Sequence, residues 1–155
     1  LTALLNGTTT FSSSQALAPT FKLRITIASK DIDQLGHVNN AVYLHWVQEA
    51  VLSYWHHIAP GEATSRLLWV ALKHEIEYRV PLFLNDRVDA LVTAKEARGS
   101  QASFTTLIKR GNELSAEIQS SWCCIDAMTR RPRRLAQEIV RLFLPDTNSE
   151  HSTGC

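Results

Sequence analysis

Between residues 31 and 40 the chain reads DIDQLGHVNN, which sets two carboxylates, a histidine and a pair of asparagines around one glycine. Asp33 stands three residues before Gly36, and Asn39 and Asn40 stand where an apolar period of three and four residues begins, the mark of a helix start. The first N–H groups of a helix have no internal acceptor and together carry roughly half a positive charge, so they can polarise a carbonyl or hold an anion. Gly36 lets the chain turn sharply and bring its backbone close to a ligand. A carboxylate at Asp33 could then face a carbonyl held by those amides. Asp31 and Asp33 also have a plainer use, as turn or cap residues beside a helix start.

The elements that must position these groups follow from hydropathy. In residues 21–27 the apolar side chains alternate (Phe21, Leu23, Ile25, Ile27), the period of a strand with one buried face. Residues 41–59 contain neither Gly nor Pro, and Val42, Trp46, Val47, Ala50, Val51, Tyr54 and Ile58 recur at helical spacing; Pro60 and Gly61 close the segment. Strand patterns follow at 68–80, 87–94, 102–109 and 113–125, with Arg110, Gly111 and Asn112 as a turn before the last. A short helix at 136–144 ends at Pro145. One strand, one long helix and then a meander imply an α+β fold whose antiparallel sheet packs across the helix. Residues 1–20, uncharged and without a sustained period, are expected to be a disordered extension; the ordered domain is expected over 21–145, and a disordered polar tail over 146–155.

Composition removes several function classes. A chain of 155 residues, 45% hydrophobic and 20% charged, builds one domain with one core. A formal charge of +1 gives no global field for nucleic acid or an anionic membrane, and no apolar run reaches the roughly 18 residues needed for membrane insertion. Cys123, Cys124 and Cys155 form neither a disulfide framework nor a metal knuckle, so a reducing, cytoplasmic setting is expected. Cys123 and Cys124 point to opposite faces of a strand and are assigned to packing. His56 and His57 are adjacent and point about 100° apart on a helix, unlike a zinc-binding pair. No HExxH, P-loop, GxGxxG or nucleophile-elbow pattern occurs, and neither metal nor cofactor is expected. Arg130, Arg131, Arg133 and Arg134 form the one strong charge cluster, either a phosphate holder or a solvated loop; without interleaved aromatics it argues against nucleic acid.

The spacing D-x-D-x-x-G-H-V-N-N-x-x-Y, carried by Asp31, Asp33, Gly36, His37, Val38, Asn39, Asn40 and Tyr43, resembles the 4-hydroxybenzoyl-CoA thioesterase family, in particular its fatty acyl-CoA branch. A looser likeness runs from Phe21 to Leu135 and takes in Tyr78, Pro81, Asp86 and Asp126. The resemblance implies a hotdog fold, a long helix wrapped by a five-stranded antiparallel sheet, assembled as a homodimer or homotetramer with active sites at the subunit interface. It implies hydrolysis of an acyl-CoA or acyl carrier protein thioester, with Asp33 as the catalytic aspartate and the Asn40 backbone amide polarising the carbonyl. A thiol leaving group of pKa about 8.5 needs little acid assistance. Asp33 would therefore act as general base on water or as nucleophile through an anhydride, and both routes stay open.

His37, four residues from Asp33, is a secondary catalytic candidate as a proton shuttle, or else a structural or substrate-lining residue, and Gly36, Val38, Asn39, Tyr43, Trp46 and Val47 are expected to line the substrate. The arginine cluster would meet CoA phosphates, and Glu49 would stay exposed or form a salt bridge. Two alternatives keep the acyl-thioester ligand: a hotdog dehydratase or hydratase that uses His37, and a non-catalytic binding module.

Overall fold

The computed structural model describes residues 19–145. Of the extension expected over residues 1–20, residues 1–18 lie outside the described residues, as does the tail expected over 146–155. Thr20 already belongs to the first strand, where its hydroxyl lies 3.1 Å from that of Thr93.

Five strands, β1 (Thr20–Ile25), β2 (Leu67–Tyr78), β3 (Val88–Arg98), β4 (Gln101–Arg110) and β5 (Glu113–Asp126), form one antiparallel sheet in the order β1-β3-β4-β5-β2. The long helix α1 (Asn40–Ile58) buries Tyr43, Trp46, Val47, Ala50, Val51, Tyr54 and Trp55. These side chains fall on one stripe because helical neighbours recur every three or four residues. The strands answer with period-two faces: Val88, Ala90 and Val92 on β3, Phe104 and Ile108 on β4, and Ala116, Ile118 and Trp122 on β5 are all buried. A final helix, α3 (Gln137–Phe143), closes one end of the core by stacking Phe143 on Trp55 at 6.0 Å and meeting Tyr54 edge-on at 5.1 Å. This is the hotdog arrangement.

Two features depart from the expectation. A short helix α2 (Gly61–Arg66) follows α1 directly, since Pro60, which ends α1, also serves as the N-cap of the next helix. Strand β3 continues four residues past the expected end at 94, through a bulge between Ala94 and Glu96 that breaks the alternation. Strand β2 bonds to β5 along one edge, and its other edge has no strand partner among the described residues. Leu68, Val70 and Leu72 are exposed on it.

His74 on β2 packs edge-on against Trp122 at 5.6 Å, and both ring nitrogens are buried with no hydrogen-bond partner. Burial disfavours the imidazolium and lowers its pKa from the ordinary 6.5. The unfolded chain therefore binds this proton more readily than the folded one, and stability falls as pH drops below about 6.5. Urea unfolding between pH 7.5 and 5.5 should show that loss, and His74→Phe should flatten it; an equal loss in the variant would assign it to other groups.

Candidate active site

The segment from Asp31 to Asn39 folds back on itself as a small ladder. The Asn39 N–H donates to the Asp31 carbonyl at 2.8 Å, Ile32 and Val38 form an antiparallel bridge, and the Asp33 N–H donates to the His37 carbonyl at 3.0 Å. At the tip the Gly36 N–H donates to the Asp33 carbonyl at 3.0 Å. Gly36 has φ +81, a conformation that favours glycine, although a Cβ there would meet nothing within 4 Å; backbone shape, not space, selects the residue. The two carboxylates hold the loop together. Asp31 Oδ2 accepts from the Ala28 N–H at 2.8 Å, and Asp33 Oδ1 accepts from the Leu35 N–H at 2.8 Å in an Asx turn. The plainer role of both aspartates is thus present. Asp33 Oδ2 keeps no protein donor among the described residues.

The ladder delivers the chain into α1 with its first turn only partly satisfied. Asn39 is the N-cap: its side chain accepts from the Ala41 N–H at 2.9 Å, and its carbonyl accepts from the Val42 N–H at 3.0 Å. The Asn40 N–H alone among these three makes no hydrogen bond within the described residues. Two further bonds fix where it sits. The Val38 N–H donates to the Leu82 carbonyl at 2.8 Å, and the Tyr78 hydroxyl, at the end of β2, donates to the Asn40 carbonyl at 2.7 Å.

Beside Asn40 lies a cleft of about 240 Å³ lined by His37, Val38, Asn40, Tyr43, Tyr78, Arg79, Val80 and Pro81. Its floor is braced by a relay in which Ser115 Oγ donates to the Val80 carbonyl at 2.6 Å and stands 3.2 Å from the Tyr43 hydroxyl. Burial raises the pKa of both Tyr43 and Tyr78, which keeps the two hydroxyls protonated and neutral. The loop that follows is pinned by Asp86. Burial works to raise its pKa, but the Phe83 N–H and the Arg110 guanidinium outweigh that and hold its carboxyl below the usual range.

Of the residues expected at a site, His37, Val38, Asn40 and Tyr43 come together on this cleft. Asp33 is tied through its backbone to His37, yet its carboxylate is not part of the cleft wall within one protomer. Gly36 shapes the ladder, and Asn39 faces a separate shallow depression with Lys30, Asp31 and His45. Trp46 and Val47 do not reach the cleft: Val47 has no exposed surface and Trp46 packs on Tyr43 at 5.1 Å, because the apolar stripe of α1 faces the sheet. Glu49 is exposed and forms no ion pair among the described residues. Tyr78 and Ser115 supply bracing that spacing alone does not announce.

Of the four arginines, the structure brings Arg133 and Arg134 to one groove, which Arg66 also borders. Arg133 also pairs with Asp126 at 2.8 Å, and Arg130 turns the chain at φ +62. Burial pushes the Cys124 thiol up to about 11, so it stays protonated and unreactive. Among the described residues no three His, Cys, Asp or Glu side chains gather as a metal site would require, and no helix is long and apolar enough to cross a membrane.

Comparison with known proteins places this geometry in a family. The acyl-CoA thioester hydrolase YbgC of Escherichia coli is 26% identical over 127 residues, covering 79% of this chain and 95% of the relative. A thioesterase from Thermus thermophilus, solved in complex with coenzyme A and zinc, superposes with a TM-score of 0.70 at 26% identity, over 83% of this chain and 93% of its own. The fold alone is shared with Slr0204, a 1,4-dihydroxy-2-naphthoyl-CoA thioesterase from Synechocystis, at a TM-score of 0.69 and 20% identity, over 85% of this chain and 100% of that one. The sequence model of the thioesterase-like superfamily matches residues 27–143, well over half of the chain, and the protein belongs to that superfamily.

Proposed function

We propose that the protein hydrolyses an acyl-CoA thioester to the free acid and CoA, with the Asn40 amide as oxyanion donor and Asp33 as the catalytic carboxylate. The observation that carries this reading is the unbonded N–H of Asn40, a residue at the start of α1 that lines a cleft. A donor already fixed in place and aimed at a developing oxyanion pays no reorganisation at the moment of reaction, and one such donor is worth about 3–4 kcal/mol. The YbgC relative and the CoA-bound Thermus thioesterase support the substrate class.

Asp33 sits on a loop tied by backbone bonds at both ends, with one carboxylate oxygen engaged and the other free of protein donors. The free oxygen can deprotonate a water that attacks the carbonyl and expels the thiolate. It can also add to the carbonyl itself, expelling the thiolate to leave an anhydride that water then opens to the acid and Asp33. The open edge of β2 supports assembly as a homodimer, since a second copy there would extend the sheet and cover Leu68, Val70 and Leu72. The partner would then add the wall that brings Asp33 into a closed site.

Asp33→Asn separates charge from turn, because the amide oxygen of Asn can still accept the Leu35 N–H. Thiol release from an acyl-CoA panel should fall about 100-fold or more, with the thermal midpoint unchanged. Activity at the wild-type level would leave Asp33 as a turn residue only. Tyr78→Phe removes the hydroxyl on the Asn40 carbonyl and loosens the donor; kcat should drop about tenfold with KM nearly constant. A change confined to KM would assign Tyr78 to substrate binding instead.

A further inference from the structure

The arginine stretch has no part in the site above, and its position shows why. It joins the start of β2, where Leu67 pairs with Asp126, whereas the cleft lies at the Tyr78 end, eleven strand steps or about 35 Å away. There α2 and the segment leading into α3 enclose a groove of about 460 Å³, a volume in the range of small-molecule sites, about 300–1,000 Å³. Its floor is aliphatic: Pro60, Ala63, Leu67, Leu135, Ala136 and Ile139. Arg66, Arg133 and Arg134 border it.

The three guanidiniums differ in what already holds them. Arg66 bonds to Glu62 at 3.2 Å in a solvent-exposed pair, which is weak and readily exchanged. Arg133 is anchored by Asp126, whose carboxylate also takes the N–H groups of Met128 and Thr129, so the guanidinium is fixed while N–H groups remain for a second acceptor. Arg134 has no carboxylate partner among the described residues. Glu62 and Glu138 also line the groove and oppose an anion, so the arginine side of the rim must bind the head group. No aromatic side chain lines the groove, which leaves nothing for a nucleotide base to stack on.

We infer that this groove is a second ligand site, for an aliphatic carboxylate whose methylene chain lies on the Ala63–Leu67–Leu135–Ile139 floor and whose head meets Arg134 and Arg133. A planar fork of N–H donors matches a carboxylate, and the aliphatic floor matches the chain. Only the identification of that acid with the reaction product rests on the thioesterase reading; the groove's own chemistry does not.

Calorimetric titration of the full chain with decanoate tests the site. One saturable equivalent should bind, and both Arg134→Ala at the rim and Ala63→Trp in the floor should weaken it at least tenfold while thiol release from acyl-CoA stays at the wild-type rate. Butyrate and inorganic phosphate should bind far more weakly than decanoate. The proposal is overturned if decanoate does not bind, if it binds both variants as tightly as wild type and so sits elsewhere, or if coenzyme A is the ligand that Arg134→Ala loses. Decanoate binding that meets these criteria in a protein with no thiol release would uphold the groove and remove the thioesterase reading instead.

Discussion

The Asn40 amide has no acceptor among the described residues, while the groups next to it in the chain are committed elsewhere. Asn39 spends its side chain on the Ala41 N–H and its carbonyl on the Val42 N–H, while Val38 is tied to Leu82 and Tyr78 clamps the Asn40 carbonyl. A helix start normally hands such donors to water or to caps. Here the Ala41 and Val42 N–H groups find acceptors on Asn39, the Asn40 N–H finds none among the described residues, and Asn40 lines a cleft. The electropositive end of a nineteen-residue helix thus keeps the Asn40 N–H open to an acceptor.

Holding that end still is what the rest of the fold does. The buried stripe of α1 against β3, β4 and β5 prevents rotation of the helix about its axis, since any rotation would expose Val47, Ala50 or Trp55. The Tyr78 and Val38 bonds prevent sliding along it. The relay from Tyr43 through Ser115 to Val80 and the pinning of Asp86 by Arg110 fix the opposite cleft wall. At the two margins of the sheet, β1 and β2 each have one edge without a strand partner among the described residues.

Much of this was legible in the residues, and the limits have physical causes. Alternation, and in the middle of the sheet runs rich in β-branched and aromatic residues, located all five strands, and helical period placed α1 within one residue at each end. Helix α2 was hidden because Pro-Gly reads as a stop, although a proline can end one helix and open the next. The bulge in β3 cut the apparent strand short. At the site, residue types pointed to the loop and to Asn40, but an apolar stripe does not say which of its members faces a ligand, and Trp46 and Val47 went to the core. At the arginines contiguity said only part: Arg133 and Arg134 border one groove, and Arg133 also pairs with Asp126.

The central claim, that this one N–H polarises the reacting carbonyl, can be tested without turnover. Asn40 is the first helical residue, the position that tolerates proline, and Asn39 already has the extended backbone (φ −59, ψ 134) that a following proline favours. Asn40→Pro thus deletes the donor and leaves the helix start intact. The infrared stretch of a ¹³C-labelled thioester carbonyl, bound to protein inactivated by Asp33→Asn, reports the polarisation directly. The account predicts a shift to lower frequency on binding that disappears when Asn40→Pro is added, with circular dichroism and substrate affinity little changed. A shift that persists in the proline variant would contradict it.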